Sequence, residues 1–242
     1  MDQVLLIDQP ADGVMLLTLN RPQQRNALDL TLLEALRDAF ADLRDNPRWR
    51  CAVLTGNGPA FCAGLDLKTF SAPDAPRHLA GETIRAIAGL PKPIIAAVNG
   101  AAYTGGLEAA LGCDFIIAAE EARFADTHAK IGALSGSGMS ARLPRAVGAA
   151  FARQMMLTCL PVDAATALRV GLVNEVVPAD RLVPRALELA GGIAGNDPEL
   201  VQIVKNVVDQ GTRATLADAL RLEAEALAAR KAAGDMNWNT AR

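Results

Sequence analysis

The sequence predicts an α/β fold, and three observations lead there. Short runs rich in valine, isoleucine and leucine recur up to residue 177, and several end at asparagine or glycine. Stretches with apolar residues at helical spacing lie between them. After residue 178 the short runs stop and only the helical spacing continues. Strands alternating with helices build an α/β core, here followed by a helical tail.

The strands expected are "VMLLTLN" (14–20), "CAVLTG" (51–56), "IIAAVNG" (94–100), "DFIIAA" (114–119) and "GLVNEVV" (171–177). Their apolarity is continuous rather than alternating, which predicts burial on both faces. Between them, "LDLTLLEALRDAFADLRDN" (28–46) puts Leu32, Leu33, Leu36, Phe40 and Leu43 on one helical face, with Asp29 or Thr31 as cap. The stretch 69–90 opens on the irregular "TFSAPDAPRHLAGET", a candidate pocket wall in which His78 is expected to face solvent. It continues as a helix, "GETIRAIAGLPKP", stopped by Gly89 and Pro91. "GGLEAALGC" is a short helix, and "GAAFARQMMLTCL" (148–160) and "DAATALRVG" (163–171) are two more, the latter capped by Asp163 and ended by Gly171.

The tail reads as "ADRLVPRALELAGGIAG" (179–195), "DPELVQIVKNVVDQG" (197–211) and "LADALRLEAEALAARKAAG" (216–234), the last with Leu216, Leu220, Glu223 and Leu227 at helical spacing. "GNDP" interrupts it, which predicts a core over 1–195 and a helical region over 196–242. A small helical region without a core of its own needs a surface to pack on, so a subunit contact is expected. "GDMNWNTAR" at the end is expected to be loose.

Composition excludes some functions. The net charge is −3 with a pI near 5.5, which argues against a nucleic-acid surface. No apolar run approaches about 18 residues, the length of a membrane span, and the N-terminal "MDQVLLIDQPADG" has no basic leader. The expected location is the cytoplasm, with no membrane partner. The four cysteines, Cys51, Cys62, Cys113 and Cys159, form no CxxC pair and no metal spacing, so they read as free thiols of a reducing compartment.

Two segments carry candidate chemistry. "PAFCAGLDLK" (59–68) is a small-residue turn that can bring bare main-chain N–H groups to the surface; Asp66 alone reads as a cap and Lys68 as a solvated charge. "KPIIAAVNGAAYTGGLEAALGCDFIIAAEEARF" (92–124) orders a strand, an Asn-Gly turn, Gly105-Gly106, a helix and a strand. Gly105 can offer an N–H where the helix dipole favours negative charge. Amides from two loops would form an oxyanion hole. Glu108, in the first turn of that helix, is either a dipole-complementing carboxylate or a proton-transfer group.

These residues resemble the crotonase, or enoyl-CoA hydratase/isomerase, superfamily. "FCAGLDLK", "AAVNGAAYTGGLEAALGCD" and "ARF" carry the resemblance, with "NRPQQRNALD" before them and "LPRAVG…GLVNEVV" after, in family order over about residues 10–190. The resemblance implies a spiral of ββα units with a C-terminal helical trimerisation region, and a homotrimer or dimer of trimers. It implies an enoyl-CoA hydratase acting on a CoA thioester, with coenzyme A entering only as part of the substrate and no separate cofactor. Leu65 and Gly105 fall at the oxyanion amides, and Leu65, Asp66, Leu67 and Lys68 at the backbone that meets CoA. Arg25 falls where a basic side chain can approach CoA phosphates, and Glu108 matches one of the hydratases' two catalytic glutamates.

The second glutamate position is His128, in "FADTHAKIG", and Ser135 stands in place of the usual proline of the next loop. Three readings stay open. His128 takes over the proton work, oriented by Asp126 two residues before it on an extended segment. Alternatively, His128 only lines the pocket and Glu108 acts alone on another CoA thioester, as in an isomerase or hydrolase. In the third, the protein binds acyl-CoA without turnover. Ser135 and Ser137 have no base assigned and are not read as nucleophiles.

Overall fold

The computed structural model describes residues 3–72 and 74–234. The chain divides after Gly195 into two compact units. The first is built on two sheets. Strands β1 (Leu5–Ala11), β2 (Val14–Leu19), β3 (Cys51–Gly56), β5 (Ile94–Val98), β7 (Phe115–Ala119) and β10 (Glu175–Val177) form the larger, in that order. Strands β4 (Ala60–Cys62), β6 (Ala101–Tyr103), β8 (Arg123–Ala125) and β9 (Val162–Asp163) form the smaller. β3, β5 and β7 are parallel neighbours in the first sheet, and β4, β6 and β8 in the second. The passes β3–β4, β5–β6 and β7–β8 thus each lay one strand in each sheet before the chain enters a helix, which is a spiral of ββα turns, while β1 and β2 both lie in the larger sheet. The ββα spiral is therefore present as expected.

The apolar runs are buried on both sides because the larger sheet is covered twice. Cys51, Val53, Ile95, Ala97 and Ile117 pack with Leu182, Ala186 and Ala190 of α8 (Ala179–Ala194). The intervening Ala52, Leu54, Ile94, Ala96 and Ile116 join the main core with α1 (Leu30–Asp45), α3 (Arg77–Ile87) and α4 (Gly105–Gly112). Asp29 caps α1 by accepting the Leu32 amide at 2.9 Å, and the expected Leu32, Leu33, Leu36, Phe40 and Leu43 form its buried face.

Two expectations change, and two features went unread. Residues 69–83 are not irregular throughout: α2 (Leu67–Phe70) ends within the stretch and α3 begins at Arg77. "LPRAVG" belongs to a helix, α5 (Met139–Val147), that the proline conceals. "GLVNEVV" supplies only the short β10, because Gly171, at φ 79°, turns the chain out of the preceding helix. The short strands of the second sheet, three residues or fewer, gave no apolar run to read. α6 (Ala149–Thr158) and α7 (Ala164–Arg169) follow the expected pattern, with Asp163 accepting the Thr166 amide at 2.8 Å.

The second unit holds α9 (Pro198–Gly211) and α10 (Leu216–Ala233), capped by Asp197 and Thr215. Arg230 pairs with Asp197 and Glu199 across the helix pair. Leu200, Val204, Val208, Leu216 and Leu220 are exposed there. The segment expected to be loose lies, beyond Gly234, outside the described residues. No helix among the described residues is long and apolar enough to cross a membrane.

Candidate active site

The turn after β4 is held against the segment before α1. Ala63 N–H donates to Arg25 C=O (3.0 Å), Leu28 N–H to Gly64 C=O (2.8 Å), and Asp66 N–H to Leu28 C=O (2.9 Å). This one-residue parallel bridge uses the groups on either side of Leu65. In such a ladder the bridged residue's own N–H points the other way, and Leu65 N–H meets no acceptor among the described residues. Arg21 locks the turn further. Its guanidinium pairs with Asp29 (2.9 Å) and Asp66 (3.1 Å), the caps of α1 and α2, and donates to Ala27 C=O.

Glycine permits the second loop to come close. A methyl at Gly106 would stand 2.1 Å from the Cys62 carbonyl oxygen, so α4 can start against β4 only with glycine there. Gly64, at φ 97°, has its missing side chain directed at Tyr103 C=O (3.1 Å) and Gly105 N (3.3 Å). These contacts bring the Leu65 and Gly105 amides side by side. Gly105 opens α4, so its N–H has no partner within the helix and none among the other described residues.

Both residues line a cavity of about 570 Å³ together with Glu108 and His128. Helix α3 forms one wall through Arg77, His78, Ala80, Gly81, Ile84 and Arg85. His78 is thus exposed, as expected, but stands on the cavity rim rather than apart from it. Leu67 also lines the space, while the backbone partners of Arg25 put it beside the same turn with its side chain exposed. Asp66 and Lys68 are not lining residues: the Asp66 carboxylate is committed to Arg21 and to the Lys68 amide, and Lys68 is exposed. Burial alone would raise the Asp66 pKa, but Arg21 and the Lys68 and Thr69 amides outweigh it and hold the group below 3.8.

Glu108 is 3% exposed and fixed by one oxygen. Oε1 accepts the Ser135 hydroxyl (2.6 Å) and the amides of Ser137 (3.1 Å) and Met139 (3.2 Å). The Met139 amide opens α5, so the carboxylate also complements that helix's positive end. Oε2 meets no donor among the described residues, which leaves one oxygen anchored and the other available.

His128 is backed by a buried acid. Its Nδ1 lies 2.6 Å from Asp126 Oδ1, and the same oxygen accepts the His128 amide at 3.1 Å. The pairing does not come from an extended strand, as sequence spacing suggested. β8 ends at Ala125, and an Asx turn brings the ring back over the carboxylate. Burial alone would lower the imidazole pKa, but the hydrogen bond and charge of Asp126, with the charge of Glu108, raise it above 6.5. An Nδ1–H bond to Asp126 leaves Nε2 as the exchanging nitrogen.

The comparisons bear on this arrangement. The family described as enoyl-CoA hydratase/isomerase matches residues 9–237. The chain belongs to the enoyl-CoA hydratase/isomerase family. It is similar to the probable enoyl-CoA hydratase 1, peroxisomal, of Arabidopsis thaliana (34% identity, 93% of this chain and 85% of that one). It is also similar to the crotonyl-CoA hydratase of Syntrophomonas wolfei (35%, 91% and 87%). Among solved structures, the enoyl-CoA hydratase of Bacillus anthracis superposes with a TM-score of 0.90 at 36% identity, over 93% of this chain and 90% of that one.

For this family member, sequence reasoning missed the supports of the site. Ser135 serves the carboxylate rather than attacking a substrate, and its place four residues before the start of a proline-bearing helix hid that. Arg21 and Asn26 organise the Leu65 turn; buried Asn26 donates to Asn57 C=O (2.9 Å) and Ala60 C=O (2.8 Å) and accepts the Arg21 amide (2.8 Å). The signal was the crowding of polar residues in "NRPQQRNALD". Cys62, buried beside the turn, has its thiol pushed up to about 12 and is inert as a nucleophile.

Proposed function

We propose that this enzyme adds water across the 2,3-double bond of a 2-enoyl-CoA thioester, a hydro-lyase reaction. The observation that supports this reading best is the company the two unpaired amides keep: a half-anchored carboxylate and an acid-backed imidazole line the same cavity. The amides of Leu65 and Gly105 accept the thioester oxygen as it gains charge, and such donors act without reorganising.

The proton assignments follow from charge. Glu108 Oε2 takes a proton from water as its oxygen bonds to Cβ. His128, whose protonated form Asp126 favours, gives the Nε2 proton to Cα of the enolate. At the end Glu108 is protonated and His128 neutral, and proton exchange through solvent restores the pair. The segment 65–68 and Arg25 would receive the CoA moiety, and no further cofactor takes part. The exposed apolar faces of α9 and α10 suit a trimer, or a dimer of trimers, of this chain.

The test is loss of enoyl absorbance with crotonyl-CoA and a longer 2-enoyl-CoA. Turnover that disappears in Glu108→Gln supports hydration. Tight CoA-ester binding with no turnover at any chain length would make the protein an acyl-CoA binder instead. Turnover of a 3-enoyl-CoA to the conjugated ester, without hydration, would move it to the isomerases of the family.

A further inference from the structure

Thr104 stands immediately before the Gly105 amide with a backbone of φ 52°, ψ −111°. A β-branched residue resists positive φ, and such conformations persist only where surroundings enforce them. Three bonds enforce this one. The Thr104 amide donates to Ala125 C=O at 2.8 Å. The Thr104 hydroxyl oxygen accepts the Thr127 amide at 3.3 Å and shares a hydrogen bond with the Thr127 hydroxyl at 2.5 Å.

The hydroxyl is also diverted from its ordinary duty. A threonine at this position usually caps its own helix, but Thr104 makes no capping bond to α4. It reaches instead to the residue between Asp126 and His128. Both threonines line the cavity, and Thr104 is only 8% exposed. The ψ angle of Thr104 sets the plane of the 104–105 peptide, and so the direction of the Gly105 N–H.

We propose that Thr104 is a positioning residue whose hydroxyl clasp with Thr127 aims the Gly105 amide and holds it in register with the Asp126–His128 pair. An oxyanion donor on one loop and a proton donor on another serve one substrate only if their separation is fixed, and displacement by about 1 Å can cost roughly a hundredfold in rate. The proposal rests on the hydration reading for its rate effects but not for its geometry.

The test uses the full chain with Thr104→Ser, Thr104→Val and Thr127→Val. Thr104→Val keeps the shape and removes the hydroxyl. It is expected to lower kcat by about ten- to a hundredfold while KM moves by less than about threefold, and to shift the pH midpoint assigned to His128. The charged groups facing that imidazole, Asp126 and Glu108, and the Arg77, His78 and Arg85 side chains of the cavity wall, are the same in every variant. Thr104→Ser, which retains the hydroxyl, restores kcat and the midpoint.

A second measurement needs no turnover. Acetoacetyl-CoA can bind as its enolate, and the enolate's absorbance reports the oxyanion amides directly. Wild type and Thr104→Ser are expected to show it, and Thr104→Val to lose most of it. Wild-type kcat, midpoint and enolate signal in Thr104→Val would overturn the proposal, as would a loss confined to thermal stability. If Thr104→Val does not fold, Thr127→Val decides: a kcat loss of about tenfold supports the clasp, and an unchanged kcat overturns it. If wild type hydrates no enoyl-CoA yet shows an enolate signal dependent on the Thr104 hydroxyl, the hydration reading fails and the clasp stands.

Discussion

Replacing Glu108 in two ways separates its chemistry from its anchorage. Three donors converge on Oε1, at 2.6, 3.1 and 3.2 Å, and Oε2 has none among the described residues. Glu108→Gln keeps a carbonyl oxygen for the three donors and puts an amide where the free oxygen was. Only proton transfer is lost, and positioned acid–base groups contribute about 10²–10⁴ in rate, or about 3–5 kcal/mol of barrier. The expected result is a kcat reduced by that factor with a urea midpoint close to wild type. Glu108→Ala removes the acceptor as well. The Ser135 hydroxyl can rotate, and the Met139 amide still donates to its oxygen at 3.1 Å, but the Ser137 amide, fixed before the start of α5, loses its acceptor. At about 1–3 kcal/mol for a stranded donor, a stability loss of about 1–3 kcal/mol is expected. Enoyl-CoA absorbance and urea unfolding measure the two effects. A Gln variant within about threefold of wild type would remove Glu108 from the chemistry. An Ala variant as stable as Gln would refute the three-donor anchor.

Other perturbations test the surroundings. The folded His128 pKa is raised above 6.5, so protonated His128 stabilises the fold below 6.5, and that contribution is lost as pH rises through the raised value. Hydration should fall over the same interval if imidazolium is the acid, and His128→Gln should flatten that limb while lowering kcat about a hundredfold; an unchanged rate would make His128 only a wall of the cavity. Arg21→Met strips the partner from Asp29 and Asp66, whose side chains are 20% and 12% exposed, and should cost about 3 kcal/mol in urea unfolding. Asp66 is held below 3.8, so its stabilisation is present above 3.8 and disappears as pH falls through the lowered value. In Arg21→Met that acid-side loss should shrink, and an unaltered acid profile would show that Arg21 is not what holds the charge.

Much of this was legible because burial and motif coincide in the sequence. The central strands of the large sheet, β2, β3, β5 and β7, are mainly apolar runs with both faces covered, so composition and environment agree; the edge strand β1, "LLIDQPA", is mostly exposed and gave no such run. The second sheet was not legible, since strands as short as Arg123–Ala125 have no period to detect. At the site, the residues whose chemistry is unusual for their place could be singled out: Glu108 in an apolar helix and His128 beside Asp126. Those that act through shape or through a distant partner could not. Ser135 reaches a carboxylate 27 positions away, Arg21 an aspartate 45 positions away, and Thr104 a threonine 23 positions away. Such partnerships appear only when the fold closes them.

A histidine opposite Glu108 changes the electrostatics of the site rather than merely replacing an acid. Two carboxylates around one cavity oppose each other, and the conflict is relieved when one holds a proton. An imidazolium opposite Glu108 reverses that sign, and the charge of Glu108 helps to raise the imidazole pKa. Buried Asp126, 1% exposed, belongs to this arrangement, because without the ring above it its charge would have no partner at 2.6 Å. His128→Glu in the wild-type background therefore places a third carboxylate against Glu108 and Asp126. It is expected to lower kcat below wild type and to move the rate optimum to lower pH. Adding Asp126→Asn removes the surplus charge while keeping an amide oxygen for the residue-128 backbone, so the double variant should recover at least about tenfold over His128→Glu alone. Kinetics of the two variants across pH measure this directly. A single His128→Glu change that raised the rate at neutral pH would show that Asp126 is indifferent to its partner, and the charge argument would fall with it.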